Sequence, residues 1–168
     1  MKSVRMLLVL SLAGASAVYA QNPLTGELKR GYEEIKTAIT KAADEMPEAD
    51  YGYVPGPGSR SYGSTVVHAA VVQAAVCGMA SGKQAPRFDQ SKTSKADAVA
   101  AVKAAFAFCD PIYAGVTDAD ASKMVKMFGR DRSMFGTLDF GVIHSNETYG
   151  SLAVYLRAKA KVPPTSQQ

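Results

Sequence analysis

The sequence predicts an all-α protein, a four-helix bundle with long crossover connections. Two observations carry this expectation. Apolar residues recur at three- and four-residue intervals in four long segments, and strand-like alternation is absent between them. The stretches that interrupt them are rich in Pro and Gly, which break helices.

Residues 1–20 stand apart from the fold. Lys2 and Arg5 precede a short apolar run, Met6 to Leu12, and Val18-Tyr19-Ala20 offers the small residues that a signal peptidase reads. The run is too short to span a bilayer, and no cysteine follows it to carry a lipid anchor. Cleavage after Ala20 is expected, giving an exported protein of the periplasm or cell exterior. Of 168 residues, 148 then remain, enough for one domain over 21–168 with a single core. The whole chain has 19 basic and 15 acidic residues. Removing Lys2 and Arg5 leaves 17 minus 15, or +2. The basic residues are scattered, so nothing favours a nucleic-acid partner.

The first helix, about Leu24 to Met46, has one apolar stripe of Leu24, Leu28, Tyr32, Ile35, Ala38, Ile39, Ala42 and Met46 opposite a charged face, and Pro47 ends it. Residues 47–61, around Pro55-Gly56-Pro57-Gly58, form a connection expected to lie extended along the bundle. The first two helices therefore need not be simple antiparallel neighbours. The second helix, about Ser61 to Ala80, is apolar nearly all round and should be central. The third, about Ser94 to Tyr113, opens on Thr93 or Ser94 as N-cap with Asp97 in its first turn. A crossover, Ala114 to Arg132, leads to the fourth helix, about Ser133 to Lys161, which Pro163-Pro164 stops.

Cys77 and Cys109 lack the C-x-x-C spacing of a redox pair. In an oxidising compartment they would form a structural disulfide if their helices run parallel. Antiparallel helices would leave them as buried thiols at opposite ends.

His68 and His144, the only histidines, sit in segments that read as buried helix. They are candidate ligands of a metal site that lacks an obvious third member. Thr148 lies about 40° round the helix from His144, on a small, polar stripe with Thr137, Phe140, Ser151 and Tyr155. Without a metal the two imidazoles could line a pocket, each lowering the other's proton affinity. Hydroxyl partners such as Thr65 or Thr148 would account for them equally well.

Other motifs are bland. Gly129-Arg130-Asp131-Arg132 and Gly56-Pro57-Gly58 lack the Lys-Ser/Thr of a phosphate loop. Asp118 and Asp120 read as a helix cap, because the glycine and late glutamate of a calcium loop are missing. Met124, Met127 and Met134 read as gap fillers under the crossover, and Tyr32, Tyr62, Tyr149 and Tyr155 as core residues whose hydroxyls reach water.

Met46-Pro47-Glu48-Ala49-Asp50-Tyr51-Gly52-Tyr53, then Pro57, Arg60-Ser61-Tyr62-Gly63 and His68, resembles the approach to the second helix in DinB-like proteins. His144-Ser145-Asn146-Glu147-Thr148-Tyr149-Gly150 through Leu156-Arg157, closing on Val162-Pro163-Pro164, resembles that family's final helix. The resemblance spans most of the mature chain. It implies a four-helix bundle holding a divalent metal, zinc or nickel, by three histidines, two of them at His-x-x-x-His spacing on the last helix. It also implies relatives that act as thiol-dependent transferases and isomerases, so a small molecule or thiol is the implied partner. Pairing through helix faces would make a homodimer. His68 matches the first ligand position and His144 the second. The third position holds Thr148, a poor ligand. Glu147 lies about 60° from His144 on the side away from Thr148 and would have to swing inward to replace it. Two readings follow: a binding or transferase-like domain with a degenerate metal site, or a non-catalytic structural or interaction bundle.

Overall fold

The computed structural model describes residues 22–167. The expected leader, residues 1–20, lies outside the described residues. The helices are α1 (Pro23–Glu45), α2 (Tyr62–Ser81), α3 (Lys95–Gly115), the single turn α4 (Asp118–Ala121) and α5 (Met134–Ala158). The four long ones make the all-α bundle that the apolar periodicity predicts, each starting within a residue or two of its expected boundary.

Hydrogen bonds fix the helix directions. The Tyr62 hydroxyl at the start of α2 donates to the Ala42 carbonyl near the end of α1. At the start of α3, Lys95 Nζ donates to the Asp44 and Met46 carbonyls. The Tyr155 hydroxyl, late in α5, donates to the Arg60 carbonyl just before α2. So α1 and α5 point one way and α2 and α3 the other. Both α1 and α2 pack against α3 and α5, which places α1 and α2 diagonally across the bundle. The 3.6-residue stripe of α1 buries Leu28, Tyr32, Ile35, Ala38, Ile39, Ala42 and Met46 but leaves Leu24, in its first turn, 59% exposed, while α2, apolar nearly all round, lies with most of its residues inside.

One expectation about the connections is corrected. Residues 47–61 stay at one end of the bundle: the Tyr51 hydroxyl donates to the Ala43 carbonyl, and the Tyr62 and Gly63 amides donate to the Tyr53 and Tyr51 carbonyls. Residues 82–94 run the length of the bundle instead. A 20-residue helix is about 30 Å long, and thirteen extended residues reach about 43 Å, so this strap can return the chain to the start of α2. It arrives beside Gly63, where any Cβ would run into the Thr93 carbonyl. The parallel pairing of α2 and α3 follows, and with it the disulfide Cys77–Cys109, Cα atoms 5.6 Å apart.

The 114–132 crossover holds a second correction. It contains an antiparallel hairpin, β1 (Met124–Met127) and β2 (Arg130–Ser133), with Met127 opposite Arg130. Four-residue strands with only Met127 buried show too little alternation to register in the sequence. Met127 fills a gap as expected and Met134 is half-buried, but Met124 is 63% exposed. Asp118 does act as a cap, although for α1: its carboxylate accepts from the Leu24 and Thr25 amides and the Thr25 hydroxyl. Thr117 and Asp120 cap α4 reciprocally.

Candidate site at the α2–α5 seam

Two helix starts place the histidines. Ser61 caps α2, its hydroxyl accepting from the Ser64 amide, and Ser133 caps α5 by accepting from Gly136. These caps fix where each helix begins, and hence the face on which His68 and His144 project. Close approach of α5 depends on Gly141, one turn before His144. A Cβ at Gly141 would lie 2.8 Å from the Tyr113 hydroxyl and 3.1 Å from Val76 Cγ1. Beside this contact the two half-buried imidazoles meet, Nε2 to Nε2 at 3.3 Å, ring planes inclined by 59°.

Thr148 stands at the third position but does not face the rings. Its hydroxyl donates to the His144 carbonyl in its own helix, 2.9 Å away, and it is buried. The Thr65 hydroxyl likewise donates to the Ser61 carbonyl. Neither threonine therefore satisfies an imidazole, which removes the hydroxyl-partner explanation. Of the small, polar stripe on α5, Thr137, Thr148 and Tyr155 are buried, Phe140 and His144 are half-buried, and Ser151 is exposed. The flank of Leu138, Tyr149, Leu152 and Leu156 is the true core face, and the stripe forms its edge. Among the described residues, no third His, Cys, Asp or Glu joins the pair in a metal-holding group.

Both imidazoles hold protons less firmly than usual. For His68 the causes are burial first, then Arg60, then His144, with Glu147 opposing them. For His144 burial again leads, Glu147 opposes it, and Arg60 adds to it. Both rings are thus neutral near pH 7, with nitrogen lone pairs available.

Directly beneath lies a polar layer that the sequence did not reveal. The Gln73 side chain, 1% exposed, accepts from the Ser145 hydroxyl at 2.9 Å. Its amide nitrogen points toward the Tyr113 hydroxyl, 3.4 Å away, and both disulfide sulfurs, 3.6 Å away. Tyr113 in turn donates to the Leu138 carbonyl. The signal was present: Gln73 is the single polar side chain in the otherwise apolar run 69–80, and Ser145 follows His144. Surface hollows elsewhere leave the pair untouched. One of about 650 Å³ is lined by Gln84, Pro86, Arg87 and Phe108 along the strap, with a neighbour of about 440 Å³ at Phe88 and Lys92.

A bundle of this topology with an imidazole pair at the seam of its second and last long helices defines a class, and comparison names it. The model of the DinB superfamily matches residues 32–150, and the chain belongs to that family. A crystal structure of a DinB-like protein from Bacillus cereus ATCC 10987 is similar, with a TM-score of 0.71 at 18% identity over 82% of this chain and 93% of that one. A DinB-like protein from Bacillus subtilis, YjoA, gives a TM-score of 0.69 at 18% identity over 84% and 98%. Likeness at this identity is a likeness of fold. Sequence comparison with curated proteins gives no significant match.

Proposed function

We propose that this chain is an exported DinB-family binding protein. In this reading His68 and His144 hold a divalent ion, zinc or nickel, through two imidazole nitrogens and leave its other positions open to a small molecule such as a thiol. The observation that carries this is the 3.3 Å separation of the two Nε2 atoms. Two nitrogens bound at about 2.0–2.1 Å to one tetrahedral ion stand about 3.3 Å apart, so the pair fits the bite of a single metal. The lowered proton affinity of both rings favours the same reading, because only neutral imidazole is a ligand. An ion held there would lower the pKa of a coordinated thiol or water. The protein's own contribution is the Gly141 contact that sets the spacing and the shallow, half-buried setting that leaves a ligand room to enter. Export draws its support from Lys2, Arg5 and the Val18–Ala20 pattern, together with the Cys77–Cys109 disulfide.

A second reading, a structural or interaction bundle without metal, draws support from Thr148, whose hydroxyl is committed to its own helix. Elemental analysis of untagged protein dialysed against zinc or nickel separates the two. The first reading expects retained metal that is lost in His68→Ala and His144→Ala. Less than about a tenth of an ion per chain in the parent would favour the second, since a competent site retains metal through dialysis. Thr148→His adds the missing nitrogen and should bring retention to one ion per chain; no gain would sink the assignment of Thr148 to the third position.

A further inference from the structure

Something other than a hydrogen bond must aim the two imidazoles. A metal-binding histidine ordinarily donates its second ring N–H to a carboxylate or a backbone carbonyl, which fixes the orientation of the ring. Among the described residues, each of these rings makes a hydrogen-bonding contact only with the other. Packing is left to hold them in place. For His144 the packing partner is Phe140, one turn earlier on α5, with centroids 5.9 Å apart and ring planes inclined by only 31°.

Phe140 is itself held by two residues of the hairpin. Phe128 stands edge-on to its ring, 6.2 Å between centroids. The Arg132 guanidinium lies 5.6 Å from its ring centre, and Arg132 passes Gly136 on the way, where an added Cβ would stand 3.1 Å from the Arg132 Nε. Phe128 keeps its place at a cost. With Gly129 it forms the hairpin turn, at φ of +48° and +81°, the signs of a type I′ turn. Glycine, asparagine or aspartate enter the left-handed region cheaply, and an aromatic residue does not. The residue is 65% exposed, so burial does not offset the strain, and a turn that served the hairpin alone would be better made by glycine. Strain of this kind at an exposed residue points to a role. The Phe128 amide donates to Met79 Sδ at 3.4 Å, which ties the turn to α2, the helix that carries His68.

We infer that Phe140 is a positioning residue for His144, and that the β1–β2 hairpin, through Phe128 and Arg132, is the clamp that sets it. The strain at Phe128 is the cost of placing a ring against Phe140. Pressed from the hairpin side, Phe140 confines the His144 ring to the orientation that brings its Nε2 to 3.3 Å from that of His68. This inference rests on the His68–His144 pair being the metal centre. It adds the residues that hold the pair ready before an ion arrives.

The test measures zinc affinity by competition with a chelating indicator, and the melting temperature and the proton Overhauser contact between the two imidazoles in metal-free protein. Phe140→Leu should weaken zinc binding about tenfold, in line with other changes to residues that orient metal ligands. Phe140→Tyr, which keeps the ring, should bind zinc as the parent does. Phe128→Gly is the informative variant, because glycine is at home at φ +48° and the turn keeps its shape. Its melting temperature should hold or rise while its zinc affinity falls, by a smaller factor than in Phe140→Leu. The contact between the His68 and His144 rings should weaken in both Phe128→Gly and Phe140→Leu. Parent affinity and an unaltered ring contact in these two variants would overturn the inference. So would a loss of affinity that only follows a loss of melting temperature, which would make the hairpin a structural prop. A parent that takes up no zinc defeats the metal reading alone, since the ring contact in metal-free protein still decides the positioning role.

Discussion

Two polar regions adjoin on the same pair of helices, α2 and α5: His68 lies five residues before Gln73, and His144 directly precedes Ser145. In the lower one, Gln73, Ser145 and Tyr113 are buried and each finds a partner, with the Cys77–Cys109 disulfide against them. In the upper one, His68 and His144 are half-buried and meet through their Nε2 atoms, with Phe140 beside His144, while the nearby Thr148 hydroxyl turns back on its own backbone. Burying polar groups is tolerable when they are satisfied, and the lower layer meets that condition fully. The upper pair leaves nitrogen valence unused at a rim that solvent and solutes reach. The lower layer thus behaves as structure, and the upper one has the makings of a site.

The largest expected effect lies in the lower layer. Removing the disulfide as Cys77→Ala/Cys109→Ala opens a loop of 32 residues, for which the chain-entropy relation gives about 3.7 kcal/mol of lost stability. Chemical denaturation would measure it. If the division of roles holds, the variant retains as much zinc as the parent at temperatures where it remains folded. Loss of metal without loss of fold would merge the two regions into one functional unit. A smaller effect belongs to Gln73→Leu. This change strips the Ser145 hydroxyl of its acceptor and should cost about 1–3 kcal/mol. His68→Ala, at the half-buried rim, should cost under about 1 kcal/mol, while metal retention falls away. The reverse order, a costly His68→Ala and a neutral Gln73→Leu, would break the comparison.

Different physics made these regions legible to different degrees. The bundle was readable because burial imposes a period on every long helix: the α1 stripe from Leu28 to Met46 is written in spacing alone. The histidine pair was readable by resemblance, since its partners are 76 residues apart and no local pattern joins them. The Gln73–Ser145–Tyr113 layer was not foreseen, because a lone glutamine in an apolar run carries no sign of who satisfies it. The strap at 82–94 escaped for a related reason: nothing in its own residues says which end of the bundle it returns to. That direction is set by Gly63 admitting the Thr93 carbonyl, and the disulfide depends on it. The hairpin was missed because pairing and a strained turn, rather than burial, make it.

Acid sharpens the comparison with the smallest change in free energy, because only the upper region titrates near neutrality. Burial and Arg60 lower the proton affinity of both histidines in the folded chain, against Glu147, whereas in the unfolded chain each returns to the ordinary value of about 6.5. A lowered folded pKa means that the unfolded chain binds protons first as pH drops. The stability associated with the neutral pair is therefore fully present above about pH 6.5 and is lost as pH falls through the folded values. Denaturation midpoints taken from pH 7.5 down to 5 should decline, with most of the decline absent from His68→Gln/His144→Gln. Metal retention should fall over the same window, since protonated imidazole is no ligand. Tyr113, whose proton affinity is raised above its usual range, and Gln73 carry no charge change there, so the lower layer supplies no such slope. An unaltered slope in the double variant would move the titration away from the seam and remove the acid-sensitive distinction between the two regions.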